Sequence, residues 1–250
     1  MRANQSMDRI TETSPRVKAR IAGVCYLIAA QAYAFAEFSV RSKLVVHGDA
    51  AATARNILAH EQLYRLGFAA ELISAVFFIA VAVLFYDIFR PVNRSLSLLA
   101  AFFNVVGCTI QALSSLFHLA PLLVLGGDQY LSVFKAEQLQ ALALLFLTLR
   151  TQTTSIYMVF FGCYNLLLGY LIFRSTFLPR ILGVFMAIAG LTYQAFLSPP
   201  LANRLFPYLL APAGALGELS LMLWLIVFGV NAQRWKEQAG AADTIQANHR

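Results

Sequence analysis

Charge is scarce in this 250-residue chain: Asp, Glu, Lys and Arg together make up 12% of it, about half the share found in soluble globular domains. So few charges cannot clothe an ordinary soluble fold of this length. Cysteine is rarer still. Cys25, Cys108 and Cys163 all fall within apolar runs, so no disulfide framework is indicated and each reads as a small packing residue. The chain has no Walker loop, GxGxxG, HExxH, CxxC or GxSxG, so none of the common nucleotide-binding, zinc-protease or α/β-hydrolase chemistries is advertised. Basic residues are not interleaved with aromatics on one face, which disfavours nucleic acid as a partner. No cofactor is expected.

What the chain has instead is apolar length. Hydrophobic residues make up 59% and the mean hydropathy is +0.66. Stretches free of Lys and Arg occupy 21–40, 66–89, 95–125, 151–173, 181–203 and 205–233. About 20 apolar residues rising 1.5 Å each cross a hydrocarbon core of about 30 Å, so six spans are expected. Lipid offers the backbone no hydrogen-bond partner and the runs show no period-two alternation, so each span must be a helix. The fold predicted is an all-α membrane bundle over 19–235, with polar, unstructured segments at 1–18 and 236–250. The run from Ile21 ending in Ala34-Phe35-Ala36 also resembles a signal-peptide core with a small-residue cleavage site; retention as the first span is the reading taken.

Basic residues are sorted along the chain. With a cytoplasmic N-terminus, the inside segments hold Arg2, Arg9, Arg16, Lys18, Arg20, Arg90, Arg94, Arg174, Arg180, Arg234, Lys236 and Arg250, twelve of the nineteen. The positive-inside rule therefore predicts that both termini face the cytoplasm. The outside segments then contain Gly48-Asp49 before Ala50 to Ala59, and Gly127-Asp128 before Phe134 to Leu149. In each, the Asp is positioned to cap a helix lying along the membrane surface. The following spans end alike, in Tyr86-Asp87-Ile88-Phe89-Arg90 and Tyr170-Leu171-Ile172-Phe173-Arg174, the pattern a parallel repeat would give.

Polar residues retained inside spans carry the functional information. A carboxylate at the centre of a membrane helix costs about 2.5–3.5 kcal/mol on insertion scales, so Glu37, Glu71 and Glu218 should face protein or water. In the third span Asn104, Gln111 and His118 recur every seven residues, with Gly107 and Ser114 between them, and share one helical face. Gly183, Gly190 and Gln194 mark the fifth span similarly, as do Gly162, Asn165 and Gly169 the fourth. In one reading, Asn104, Gln111 and Gln194 hydrogen-bond between helices and His118 is a neutral interfacial residue. In the other, Glu37, Glu71, His118, Gln194 and Glu218 converge on an outward-opening pocket. Arg65 or Arg150 could also neutralise a carboxylate on a neighbouring helix. Divalent metal is not expected, because only one His lies within a span.

Five ordered blocks carry a resemblance: Phe38 to Ala59 (FSVRSKLVVHGDAAATARNILA), Phe89 to Ala101 (FRPVNRSLSLLAA), Glu137 to Leu147 (EQLQALALLFL), Phe173 to Tyr193 (FRSTFLPRILGVFMAIAGLTY) and Gly217 to Val230 (GELSLMLWLIVFGV). From about Ala19 to Trp235 the chain resembles a bacterial membrane-protein family designated domain of unknown function 4386. The resemblance implies a multi-pass inner-membrane protein and carries over no site residue. Where the family often has His, this chain has Arg150 and Tyr164, so a metal or catalytic centre built on those histidines would be missing. Three readings of function stand: a protein that binds or moves a small amphipathic or cationic molecule; an intramembrane enzyme with Glu71 or Glu218 as base and His118 as acid or metal ligand; and an assembly partner of another membrane protein. Besides that ligand, membrane lipids are the expected partners.

Overall fold

Residues 136–161 contain neither Gly nor Pro, and nothing in that stretch interrupts a helix. In the computed structural model, which describes residues 14–248, it lies within one 39-residue helix, Ala136–Arg174. The six helices long and apolar enough to cross a membrane are Pro15–Leu44, Glu61–Phe89, Arg94–Leu125, Ala136–Arg174, Arg180–Leu197 and Pro199–Val227, referred to below as the first to sixth spans. No strand occurs among the described residues. The protein is a six-span helical membrane bundle.

Local chemistry sets the boundaries. Pro15 opens the first span, where its missing N–H is no loss. Asp49 caps the surface helix Ala50–Ala59 by accepting the Ala52 N–H at 2.8 Å, and Asn93 caps the third span by accepting that of Leu96 at 2.9 Å. The sixth span closes on Gly229, whose positive φ of 68° lets its N–H reach the Leu225 carbonyl at 3.0 Å.

Several expected boundaries move. The surface helix expected over Phe134 to Leu149 is the opening of the fourth span. Asp128 makes no side-chain cap; Gln138 Oε1 accepts the Lys135 N–H at 2.8 Å instead. The fifth and sixth spans divide at Ser198 and not at Arg204, because two prolines follow Ser198 and hold it extended. The first span starts at Pro15, six residues before the expected 21 and four before the expected start of the bundle at 19. The tail expected to lack structure from 236 is helical over Ala232–Asn248, anchored by Trp235 Nε1 donating to the Ile88 carbonyl at 2.8 Å. Residues 1–13 lie outside the described part.

Each span packs on its successor, and the sixth returns to the first, closing a ring in chain order. Large aliphatic and aromatic residues such as Val76, Val83, Phe102 and Leu116 point outward and are exposed, as lipid contact requires. Aromatic rings fill the inside. Tyr26 and Phe78 stand 5.5 Å apart, Phe78 and Phe161 5.4 Å, and Phe161 and Tyr193 6.0 Å, within the range of favourable ring contacts. The fourth and fifth spans meet through glycine: Gly162 faces Gly190 and Gly169 faces Gly183. The ends of the bundle are named by the elements they carry: the terminal face holds Pro15 and Val227, the distal face the helix Ala50–Ala59.

Candidate functional site

The first span becomes π-helical over Phe35–Arg41, a local widening that often accompanies special side-chain placement. It sets Glu37 and Arg41, one turn apart, against the fourth span near the distal face. Arg41 Nη1 donates to Glu37, and Arg41 Nη2 donates to Thr151 Oγ1 at 2.8 Å. Arg150, one residue before Thr151, reaches two carboxylates: Nη2 donates to Glu37 Oε2 at 3.1 Å, and both Nε, at 3.1 Å, and Nη2 donate to Glu71 Oε1. The third span completes the shell. His118 Nδ1 lies 3.0 Å from Glu71 Oε1, and Ser115 Oγ donates to Glu71 Oε2 at 3.0 Å.

His118 is held on every side. Its Nε2 lies 3.1 Å from the Tyr64 carbonyl, the Tyr64 hydroxyl donates to the His118 carbonyl at 2.6 Å, and the two rings are 4.3 Å apart. Both ring nitrogens thus face acceptors, and the two contacts are hydrogen bonds together only when both nitrogens carry protons. Glu71, His118 and Arg150 are each at most 2% exposed. Carboxylate and guanidinium have been taken from water together, which is tolerable only with this density of partners. Two acids from the first and second spans meet two arginines from the first and fourth, and with His118 from the third, four elements of the ring are tied at one depth.

A second polar group lies deeper. Taking 1.5 Å per residue, Glu71 stands about 27 Å from the terminal end of its span at Phe89, whereas Glu218 stands about 14 Å from Val227. Glu218 accepts the Tyr193 hydroxyl at 2.7 Å and has no cationic partner among the described residues. Tyr26 and Asn165 face it from the first and fourth spans. The Tyr26 hydroxyl and the Asn165 amide are turned towards the Glu218 carboxylate but stand outside close hydrogen-bond geometry.

The sequence candidates thus separate. Glu37, Glu71 and His118 come together. Gln111 joins them by donating to the Glu71 backbone carbonyl at 3.4 Å, a bond between the second and third spans. Asn104 sits lower on the same buried stripe, accepting from Cys108 Sγ at 3.3 Å and facing Tyr164. Gln194 is elsewhere; its Nε2 spans to the Val159 carbonyl at 3.4 Å and to Gly190 O at 3.3 Å, joining the fourth and fifth spans. Glu218 stands apart from the distal cluster. Arg65 pairs with Glu61 on its own helix at 2.8 Å. Arg41, Tyr64, Ser115, Thr151, Tyr26 and Tyr193 escape a reading of the sequence, since no periodicity within one helix points to them.

Comparison with known proteins follows the same outline. A protein from Archaeoglobus fulgidus described as uncharacterised is 24% identical over 151 residues, which cover 60% of this chain and 76% of the relative. No solved structure matches. The model of the domain of unknown function DUF4386 matches residues 21–229. Since that stretch runs from within the first span to the glycine that closes the sixth, the chain belongs to the DUF4386 family.

Proposed function

We propose that the protein binds, and moves, a small amphipathic cation at Glu218. The observation that carries this reading is a carboxylate well inside a span that has a tyrosine hydroxyl and no counter-cation among the described residues, with the Tyr26 hydroxyl and the Asn165 amide turned towards it. Ionisable residues so placed generally mark a ligand or ion pathway. Tyr26, Phe161 and Tyr193 add ring faces, which attract organic cations. By contrast, Glu71 already has Arg150 and His118, and its enclosure favours a structural role for the distal cluster over acid–base catalysis.

The test uses the full chain in detergent with a panel of quaternary ammonium and phosphonium ions, read as thermal stabilisation. A ligand at 100 times its Kd adds about 2.7 kcal/mol to unfolding. Glu218→Gln is expected to abolish that gain while leaving the ligand-free melting temperature near that of the parent. Equal stabilisation of parent and variant, or none in either, would overturn the reading.

Both termini are proposed to face the cytoplasm of a bacterial inner membrane, on the strength of the twelve basic residues on that side. Arg41 and Arg150 are neutralised by Glu37 and Glu71 inside the bundle, which further lightens the distal side. Ser42 and Asn93 are exposed at opposite ends of the bundle. An impermeant thiol reagent added to intact cells should label Ser42→Cys and spare Asn93→Cys; the reverse pattern would invert the topology.

A further inference from the structure

The glycines that draw the fourth and fifth spans together leave a furrow on the outside of the ring. Leu166, Tyr170, Phe173, Val184, Ile188 and Leu191 wall an apolar groove of about 410 Å³ above the Gly169–Gly183 contact. Most of these side chains are exposed, Leu191 at 67% and Tyr170 at 48%, so the groove faces the bilayer. From Gly183 to Leu191 it runs about 12 Å, and about 16 Å when carried on to Arg180 at the terminal face, the depth of one leaflet of a hydrocarbon core of about 30 Å.

At the terminal face the groove meets a polar pocket of about 700 Å³ lined by Thr176, Arg180, Arg234, Glu237 and Gln238. Phe173 and Arg180 form the junction, the guanidinium lying 5.7 Å from the ring centroid. Among the described residues neither arginine has a carboxylate partner: Arg180 has only that ring, and Arg234 Nη1 donates to the Thr176 carbonyl at 3.4 Å. Glu237 accepts from Gln233 at 3.2 Å. Two unneutralised guanidinium groups against one carboxylate leave the pocket positive, at headgroup depth. Guanidinium forks suit phosphate oxygens, and basic pockets between membrane helices hold acidic headgroups.

We propose that this joined groove and pocket is a binding site for one phospholipid with an anionic headgroup, its phosphodiester at Arg180 and Arg234 and an acyl chain along the fourth and fifth spans. Charge complementarity selects the headgroup. The match of groove length to one leaflet selects a lipid over a free phosphate. The site lies on the outer surface of the ring and is independent of Glu218.

The full chain, purified in a nonionic detergent, would be titrated with dioleoyl phosphatidylglycerol, dioleoyl phosphatidylcholine and glycerol 3-phosphate, and the bound fraction read by native mass spectrometry. Phosphatidylglycerol should be retained over phosphatidylcholine, and glycerol 3-phosphate should not compete at equal concentration. Replacing both Arg180 and Arg234 by Gln should weaken phosphatidylglycerol retention about thirtyfold, taking the usual contribution of each basic residue near a membrane surface. Ile188→Trp, which fills the groove and leaves both arginines, should lower retention as well. Both arginines are exposed, and the lipid-free melting temperature of each variant checks the fold. Equal binding of the two lipids, undiminished phosphatidylglycerol in either variant, or glycerol 3-phosphate displacing the lipid at parity would each overturn the proposal.

Discussion

Replacing Arg150 with Met is expected to lower the unfolding free energy by about 3–5 kcal/mol, the largest effect of any single substitution considered for this protein. The guanidinium makes two contacts to Glu71 and one to Glu37. Without it, Glu71 is left 2% exposed with only His118 and Ser115 to offset its removal from water, and burying an unmatched carboxylate is far costlier than losing a surface pair. Glu37 suffers less because Arg41 remains beside it. The decisive comparison is a double-mutant cycle. Glu71→Leu combined with Arg150→Met removes both charges at once, so it should be less destabilising than the sum of the single changes. Chemical unfolding in mixed micelles measures all three variants. Additive losses, or a single Arg150→Met variant as stable as the parent, would show that the ion pair does not hold the bundle together.

The second large effect is expected at the glycine seam. A Cβ built on Gly169 would stand 2.7 Å from both the Ala187 nitrogen and the Gly183 oxygen, and one on Gly183 would stand 2.6 Å from the Gly169 oxygen. Those are backbone atoms, which cannot swing aside. Even Gly169→Ala must therefore push two helices apart, a strain of about 1–3 kcal/mol. Gly107 lies on the polar stripe of the third span and also sits at a helix contact, but its nearest neighbour is the Tyr157 ring at 3.3 Å, which can yield. Gly107→Ala should thus lower the melting temperature much less than Gly169→Ala. Equal losses for the two would mean that close backbone approach is not what the glycines provide.

Hydropathy and spacing make the spans and the polar stripe legible in the sequence. The seven-residue recurrence of Asn104, Gln111 and His118 puts them on one inward face, and all three are buried. Arg150 is legible as a residue able to neutralise a carboxylate on a neighbouring helix, which it does, but its place inside a span is harder to see for a physical reason. Spans are delimited by the absence of Lys and Arg, and a span that neutralises its own arginine with acids from other helices fails that criterion by construction. The same rule misplaces the break between the fifth and sixth spans at Arg204, where proline chemistry sets it at Ser198. The separation of Glu218 from Glu71 has a different origin. Depth and rotational register between helices decide which carboxylate meets which partner, and neither is encoded in the periodicity of a single helix. Tyr193 meets Glu218 across 25 positions, and Arg150 meets Glu71 across 79.

That last separation bears on how the chain is made. Synthesis proceeds at about 5–20 residues per second, so Glu71 exists for roughly 4–16 seconds before Arg150 is even translated. Throughout that interval Glu71 has no arginine from the fourth span, and for more than half of it no His118. The nascent second span must then wait beside the insertion machinery, or carry its acid in neutral form, until the fourth span emerges. Membrane integration of the front half of this protein is therefore coupled to the translation of its middle, and a ribosome stalled just short of Arg150 would leave an acid-bearing helix for quality control to recognise.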